Sequence, residues 1–350
     1  MAEKMRAVRK TRREPGLELV ETEIPHIKPN EVLIKVEATA ICGSDIHFYN
    51  WDAYAQSRIK PPLTIGHEFA GEIVEAGKAV MHYRVGDYVT GDSHIACGNC
   101  DVCKIGLQHI CQNLKIFGNE VDGSFAEYMA VPEGSLWRLD RSVPSEVGAI
   151  MEPLGGAVQA ALIEPVTAQS VVVFGDGPIG LFAVGVAAVA GASKVSLVGI
   201  VPSRLEVARK MGASSVYNAL EDKHIVEQIL DETHGLGVDI VLEMSGAHSA
   251  LKDAFAVVRK GGRVTLFGLS AGPVQDFDFN YNIILRQVKV RGVAGRHMWD
   301  TWQVLDGLMK TGKLDPRPVI TGELPLADFD AGFKQLTTGA REGLKIILRP

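Results

Sequence analysis

Four of the chain's five cysteines fall in one stretch, CGNCDVCKIGLQHIC, from Cys97 through Cys100 and Cys103 to Cys111. The spacing C-x2-C-x2-C-x7-C gathers four thiolates on a short lobe, which matches the donor type and number of a closed tetrahedral structural zinc site. An iron–sulfur cluster takes similar ligands. Disulfides are disfavoured, because Cys97, Cys100 and Cys103 are so close in sequence and no secretion signal points to an oxidising compartment. Structural zinc is the expectation. Cys42 stands apart, in CGSDIHFYN, which also sets Ser44, Asp45 and His47 close by; IGHEFAGE then brings His67 and Glu68 behind Gly66. A thiolate, an imidazole and a carboxylate are what a catalytic zinc takes when it keeps one position open. On residue type alone that reading stands level with a buried thiol and an ordinary core histidine. His67 and Glu68 are adjacent, so they reach one metal only if the chain turns at Gly66.

The second constellation is VVVFGDGPIG, where Gly175, Gly177 and Gly180 form G-x-G-x-x-G between an expected strand and a helix opened by Pro178 and Ile179. The first glycine permits the turn, the second lets the backbone approach a pyrophosphate, and the third lets the helix pack closely. Asp176 inside the turn puts a negative charge near a phosphate site, which is tolerable only if it points to solvent. A second departure lies in KVSLVGIVPSRLEVA: Gly199 stands where an NAD site offers Asp or Glu to the ribose, and no carboxylate replaces it. Ser203 and Arg204 could reach a 2′-phosphate, yet Ile200 and Val201 stand where an NADP site often places its basic residue. The residues leave the cofactor open between NAD and NADP.

These groups need positioning elements, and the chain supplies two patterns. From about residue 157, SVVVFG, KVSLV, GVDIVLEMSG, RVTLFG and VKVRGVAG alternate with helical stretches such as PIGLFAVGVAAVAGA, SRLEVARKMGA and SALKDAFAVVRKGG. That alternation predicts a doubly wound parallel sheet, an α/β Rossmann dinucleotide-binding domain over 156–295. Earlier, NEVLIKVEATAIC, EFAGEIVEAG and GDYVTGDS read as short glycine-punctuated strands of a β-rich domain of irregular topology. A chain of 350 residues with 46% hydrophobic residues and 37 glycines suits two globular domains. The net charge of −6 gives no footprint for nucleic acid or an anionic membrane. The apolar run 179–192 is too short and glycine-rich to span a bilayer. The start carries no apolar leader segment, so a mature cytoplasmic protein is expected.

With ICGSDIHFYNWDAYAQSRIKPP, GDSHIACGNC, EMSGA and GRHMWDTW beside the two motifs, the sequence resembles the zinc-containing medium-chain alcohol dehydrogenases along essentially its whole length, most of all the L-threonine 3-dehydrogenases. The resemblance implies a GroES-like catalytic domain built from residues 1–155 and 296–350 around the Rossmann domain, and a homotetramer. It implies one catalytic and one structural zinc per chain, with Cys42, His67 and Glu152 holding the catalytic ion and Glu68 an additional or exchanging ligand. Such an enzyme oxidises the secondary alcohol of L-threonine to 2-amino-3-oxobutanoate with NAD or NADP. Ser44 and His47 are then spaced for a proton relay to solvent. His94 matches a histidine that influences substrate choice, and Arg296 matches an arginine that approaches cofactor or substrate. Gly156 departs from the family's usual asparagine, so a polyol or 2,3-butanediol dehydrogenase is the alternative. A non-catalytic dinucleotide-binding protein is a third reading, opposed by retention of Cys42, His67 and Glu152.

Overall fold

The computed structural model describes residues 3–339 and 342–350, so the first two residues of the expected mature start lie outside the described residues. The chain divides into two compact units, Met1–Glu152 with Ile320–Pro350, and Pro153–Val319.

In the first unit the strand Glu31–Ala40 is the axis of the main sheet. Its Val, Leu, Ile and Ala side chains are buried at nearly every position, so both of its faces are covered, and strands pair with it on both edges. Glu68–Ala76 runs antiparallel on one side, with Ala40 opposite Glu68. The C-terminal strand Lys345–Arg349 runs antiparallel on the other, with Ile347 opposite Ala40. The chain end thus borders the segment that follows Ala40, where Cys42 lies. Behind it, Val8, Ile41, Phe48, Phe125, Phe333 and Ile346 form one fully buried cluster.

The second unit holds six parallel strands: β1 (Ser170–Phe174), β2 (Lys194–Gly199), β3 (Ser215–Asn218), β4 (Val238–Glu243), β5 (Val258–Leu266) and β6 (Lys289–Gly292). Their spatial order is β3-β2-β1-β4-β5-β6, the doubly wound dinucleotide-binding order, whose direction reverses between β1 and β4. β1 reads SVVVF because it is covered on both faces. The helix Pro178–Val189 is apolar all round, and residues 180–187 are all buried.

Two expectations differ from what is found. The stretch SALKDAFAVVRKGG is not helical to its end: the helix stops at Val257 and β5 begins at Val258, since two β-branched valines followed by Gly261 and Gly262 favour extended backbone over helix. Residues 296–319 pack with the second unit instead of the first. Thr301 Oγ1 donates to Gln159 Oε1 at 2.6 Å, Arg296 covers Gly155, and Leu314 lies over Gly185. The compact units therefore part at Glu152/Pro153 and Val319/Ile320, not at 155/156 and 295/296.

Candidate functional site

In the first unit, Cys42 caps the N-terminus of the helix Gly43–Asn50. Asp45, one turn in, accepts the Cys42 backbone N–H at 2.9 Å, which holds the thiol-bearing segment against the helix. Gly66 adopts φ +91°, a left-handed conformation that a side chain would strain, and Phe125 fills the space where its Cβ would be. That turn delivers His67 and Glu68 together. The ligand atoms of Cys42, His67 and Glu68 all lie within 4.8 Å of one another. Glu152 stands outside this tightest group, but it is buried and its charge acts on Asp45, His67, Glu68 and Lys345.

The electrostatics of this pocket suit a cation. Burial alone would lower the His67 pKa, yet the Cys42 sulfur and the Asp45 and Glu152 carboxylates raise it to about 10. Burial pushes both Asp45 and Glu68 above the ordinary carboxyl range, against the opposing pull of nearby positive charge. Asp45 Oδ1, His67 Nδ1 and Glu68 Oε2 are buried without a hydrogen-bond partner. A thiol, an imidazole and a carboxylate gathered in one buried cluster, with polar atoms left unpartnered, fit a divalent ion.

Asp45, noted in the sequence only as a neighbour of Cys42, and Lys345, which sequence reasoning passed over, complete this pocket. Asp45 Oδ1 faces His67 Nδ1 at 3.8 Å, the carboxylate–imidazole pairing that orients a metal-ligating histidine. Lys345, fully buried, donates to Glu68 Oε1 and, at 3.3 Å, to the Ile41 carbonyl. The one signal for it in the sequence is a lysine opening the apolar strand KIIL, whose inward register is set by pairing far away in the chain.

Ser44 and His47 lie on one face of the same helix, three residues apart. His47 is exposed, and its Nδ1 pairs with Asp52 Oδ2 at 2.5 Å. His94 lies on the short strand His94–Ile95, with its Nδ1 3.2 Å from Asp92 Oδ1. Arg296 is buried against Gly155 in the second unit, so it is no surface charge.

None of the four clustered cysteines is disulfide-bonded. Cys97 and Cys111 Sγ are 3.4 Å apart, Cys100 and Cys103 3.5 Å, and Cys100 and Cys111 3.8 Å. A tetrahedral zinc with bonds of about 2.3 Å separates its sulfurs by about 3.8 Å. Hydrogen bonds from the Asn99 backbone and the Asn113 side chain lower the Cys97 pKa to about 6, whereas burial raises that of Cys103 to about 12. Four sulfurs so placed ionise together only around a cation.

In the second unit the glycine turn has the expected geometry. Gly175 takes φ +113°, and a Cβ on Gly180 would lie 1.9 Å from the Gly175 carbonyl oxygen. Gly177 caps the helix that starts at Pro178 and Ile179, and nothing in the chain would touch its Cβ. Folding does not require that glycine, so the open cradle at a helix N-terminus fits a pyrophosphate. Asp176 corrects the expectation. It does not point to solvent: it is buried, and its Oδ2 accepts the Ile200 and Val201 N–H groups at 2.8 and 2.7 Å. A carboxylate therefore does stand at the end of β2, supplied from the glycine turn, while Arg204 lies 3.9 Å from Asp176 Oδ1.

Comparison with known proteins bears on both sites. Residues 28–141 match the alcohol dehydrogenase GroES-like domain, and residues 178–311 the zinc-binding dehydrogenase family. The chain is 45% identical over 340 residues to L-threonine 3-dehydrogenase of Pyrococcus abyssi, covering 97% of each protein. Among solved structures it resembles a protein of Sinorhizobium meliloti 1021, described as a zinc-binding dehydrogenase and solved bound to NADP, with TM-score 0.90, 29% identity, and 99% of this chain and 100% of that one covered. It also resembles 2R,3R-butanediol dehydrogenase from Bacillus subtilis, with TM-score 0.88, 28% identity, and 99% of each chain covered. Carrying both halves of this pattern along its length, the chain belongs to the zinc-binding alcohol dehydrogenase family, whose members oxidise alcohols with NAD(P).

Proposed function

We propose that the chain oxidises the secondary alcohol of L-threonine to 2-amino-3-oxobutanoate while NAD(P) is reduced. The observation that carries this is the 45% identity, over 97% of both chains, to an L-threonine 3-dehydrogenase. In this reading Cys42, His67 and Glu152 hold a catalytic zinc, with Glu68 an additional ligand, and Cys97, Cys100, Cys103 and Cys111 hold a structural one. A zinc ion bound at the first site supplies a Lewis acid that makes the substrate hydroxyl easier to deprotonate. Asp45 orients His67, and Lys345 holds one oxygen of Glu68, so the ligand atoms are in place before substrate arrives. Ser44 and His47 carry the hydroxyl proton outward, helped by the exposure of His47 and its partner Asp52. His94 and Arg296 select the substrate. Gly175, Gly177, Pro178, Ile179 and Gly180 receive the dinucleotide pyrophosphate, with Gly199 and Arg204 at its adenosine end.

A second reading has a specific observation behind it. Gly156 leaves room into which the Phe267 ring reaches, 3.2 Å from where a Cβ would sit, and the Bacillus subtilis butanediol enzyme shares the fold. Initial rates with L-threonine, (2R,3R)-butanediol and sorbitol, each with NAD and NADP, separate the two. Threonine as the best substrate supports the first reading, and a diol turned over while threonine is inert replaces it. A non-catalytic binder would show no turnover, and Cys42→Ser would leave its properties unchanged.

The enzyme works in the cytoplasm, in keeping with four clustered thiols that need reducing conditions. Among the described residues no helix is long and apolar enough to cross a membrane. It assembles as a homotetramer. Support comes from the exposed edge strand β6 and from Phe279, Tyr281, Ile284 and Leu285 just before it, all exposed.

A further inference from the structure

Two departures that look unrelated in sequence, Asp176 inside the glycine turn and Gly199 at the end of β2, are one feature in space. A Cβ on Gly199 would lie 2.6 Å from Asp176 Cβ and 2.8 Å from its Oδ2. No side chain fits at 199 while Asp176 is in place. The turn is fastened to β2 as well, since the Gly175 N–H donates to the Val198 carbonyl at 2.9 Å. The negative charge that a dinucleotide site usually carries on β2 has moved, with little change of position, onto the turn after β1.

We propose that Asp176 is the residue that sets cofactor preference, accepting a hydrogen bond from the adenosine ribose and excluding a 2′-phosphate, so that this enzyme uses NAD in preference to NADP. The proposal rests on the dinucleotide reading of the glycine turn. Three observations carry it. The backbone N–H groups of Ile200 and Val201 are the donors that a 2′-phosphate would use at the end of β2, and Asp176 Oδ2 already takes both. The Arg204 guanidinium lies 3.9 Å from Asp176 Oδ1 and is partly neutralised by it. Ile200, where an NADP site would gain from a basic side chain, is an exposed hydrophobe. Oδ1 keeps acceptor capacity for a ribose hydroxyl, because the two backbone hydrogen bonds both fall on Oδ2.

Binding of NADH and NADPH to the zinc-loaded enzyme, followed by nicotinamide fluorescence, tests this without turnover. The natural enzyme is expected to bind NADH about tenfold or more tighter than NADPH. Asp176→Asn keeps an oxygen for Ile200 and Val201 but removes the charge, and should shrink that preference by about tenfold. The double variant Asp176→Gly/Gly199→Asp returns the carboxylate to β2 and clears its space, and should restore the preference. Should Asp176→Asn fail to fold, the natural enzyme and the double variant still decide. Equal or tighter binding of NADPH by the natural enzyme, or an unchanged ratio in Asp176→Asn, overturns the proposal. If neither dinucleotide binds the natural enzyme, the dinucleotide reading falls and takes the proposal with it.

Discussion

Lys345 and Glu68 form an ion pair that is almost entirely out of water, with the lysine also bound to the Ile41 carbonyl. Such a pair gains little over an apolar replacement of both partners, but removing one leaves the other charged and stranded. Lys345→Met is therefore expected to lower stability by about 3–5 kcal/mol in denaturant unfolding. The double variant with Glu68→Gln should recover a large part of that loss; equal loss in both would mean the lysine acts through packing alone. Residue chemistry was only partly legible beforehand. Cys42, His67 and Glu68 could be named from their types, and the turn between them from Gly66. Lys345 could not, because it meets Glu68 across 277 residues of chain. Asp176 misled for a related reason: whether a carboxylate in a glycine turn faces water or a neighbouring strand is decided by the strand, and Gly199 is informative only once the two are seen side by side.

At the scale of elements, the glycine turn separates folding from binding. Gly180→Ala would press a methyl to within 1.9 Å of the Gly175 carbonyl, so it should destabilise the protein by about 1–3 kcal/mol as helix and strand are forced apart. Gly177→Ala meets nothing in the chain, so thermal unfolding should change by no more than about 0.5 kcal/mol. NADH affinity should nonetheless fall by about tenfold or more if, as proposed, the pyrophosphate approaches where the methyl would stand. An unaltered affinity in Gly177→Ala would remove the cradle from the cofactor site. The cysteine lobe makes the opposite case. Its elements are a four-residue helix, a three-residue turn and short strands, too little to bury a core of their own. If the lobe holds a structural zinc as proposed, Cys103→Ser should lower bound zinc by about one ion per chain. It should also expose the loop at Ile105 and Gly106 to protease while leaving Cys42 and His67 assembled. Full zinc content in that variant would contradict the structural site.

The whole molecule was legible to different depths in its two units. The Rossmann sheet follows from local signals, since each strand–helix repeat announces its own period and parallel crossovers leave few topologies. The β-rich unit could be recognised but not arranged, because its central strand pairs with a segment more than 300 residues later, a partnership no local pattern encodes. Segment 296–319 was misassigned on the same ground, its partners Gly155 and Gln159 lying far back in the chain. Self-assembly is the remaining large-scale question, and the surface frames it. β6 is an open edge, where lysine and arginine ordinarily repel a second copy. Here Lys289 and Arg291 share one carboxylate, Glu164, at 3.3 and 3.0 Å, so that protection is partly offset. Val290 is exposed between them, and Phe279, Tyr281, Ile284 and Leu285 extend the apolar surface along the chain. If this face joins copies, Leu285→Glu and Val290→Lys together should shift the mass in light scattering from tetramer to smaller species. The zinc content and cofactor affinity of each chain should be preserved, because neither residue belongs to the metal or dinucleotide sites. A tetramer that survives both charges would place its contacts on another face, and the exposed apolar surface beside β6 would then need a different explanation.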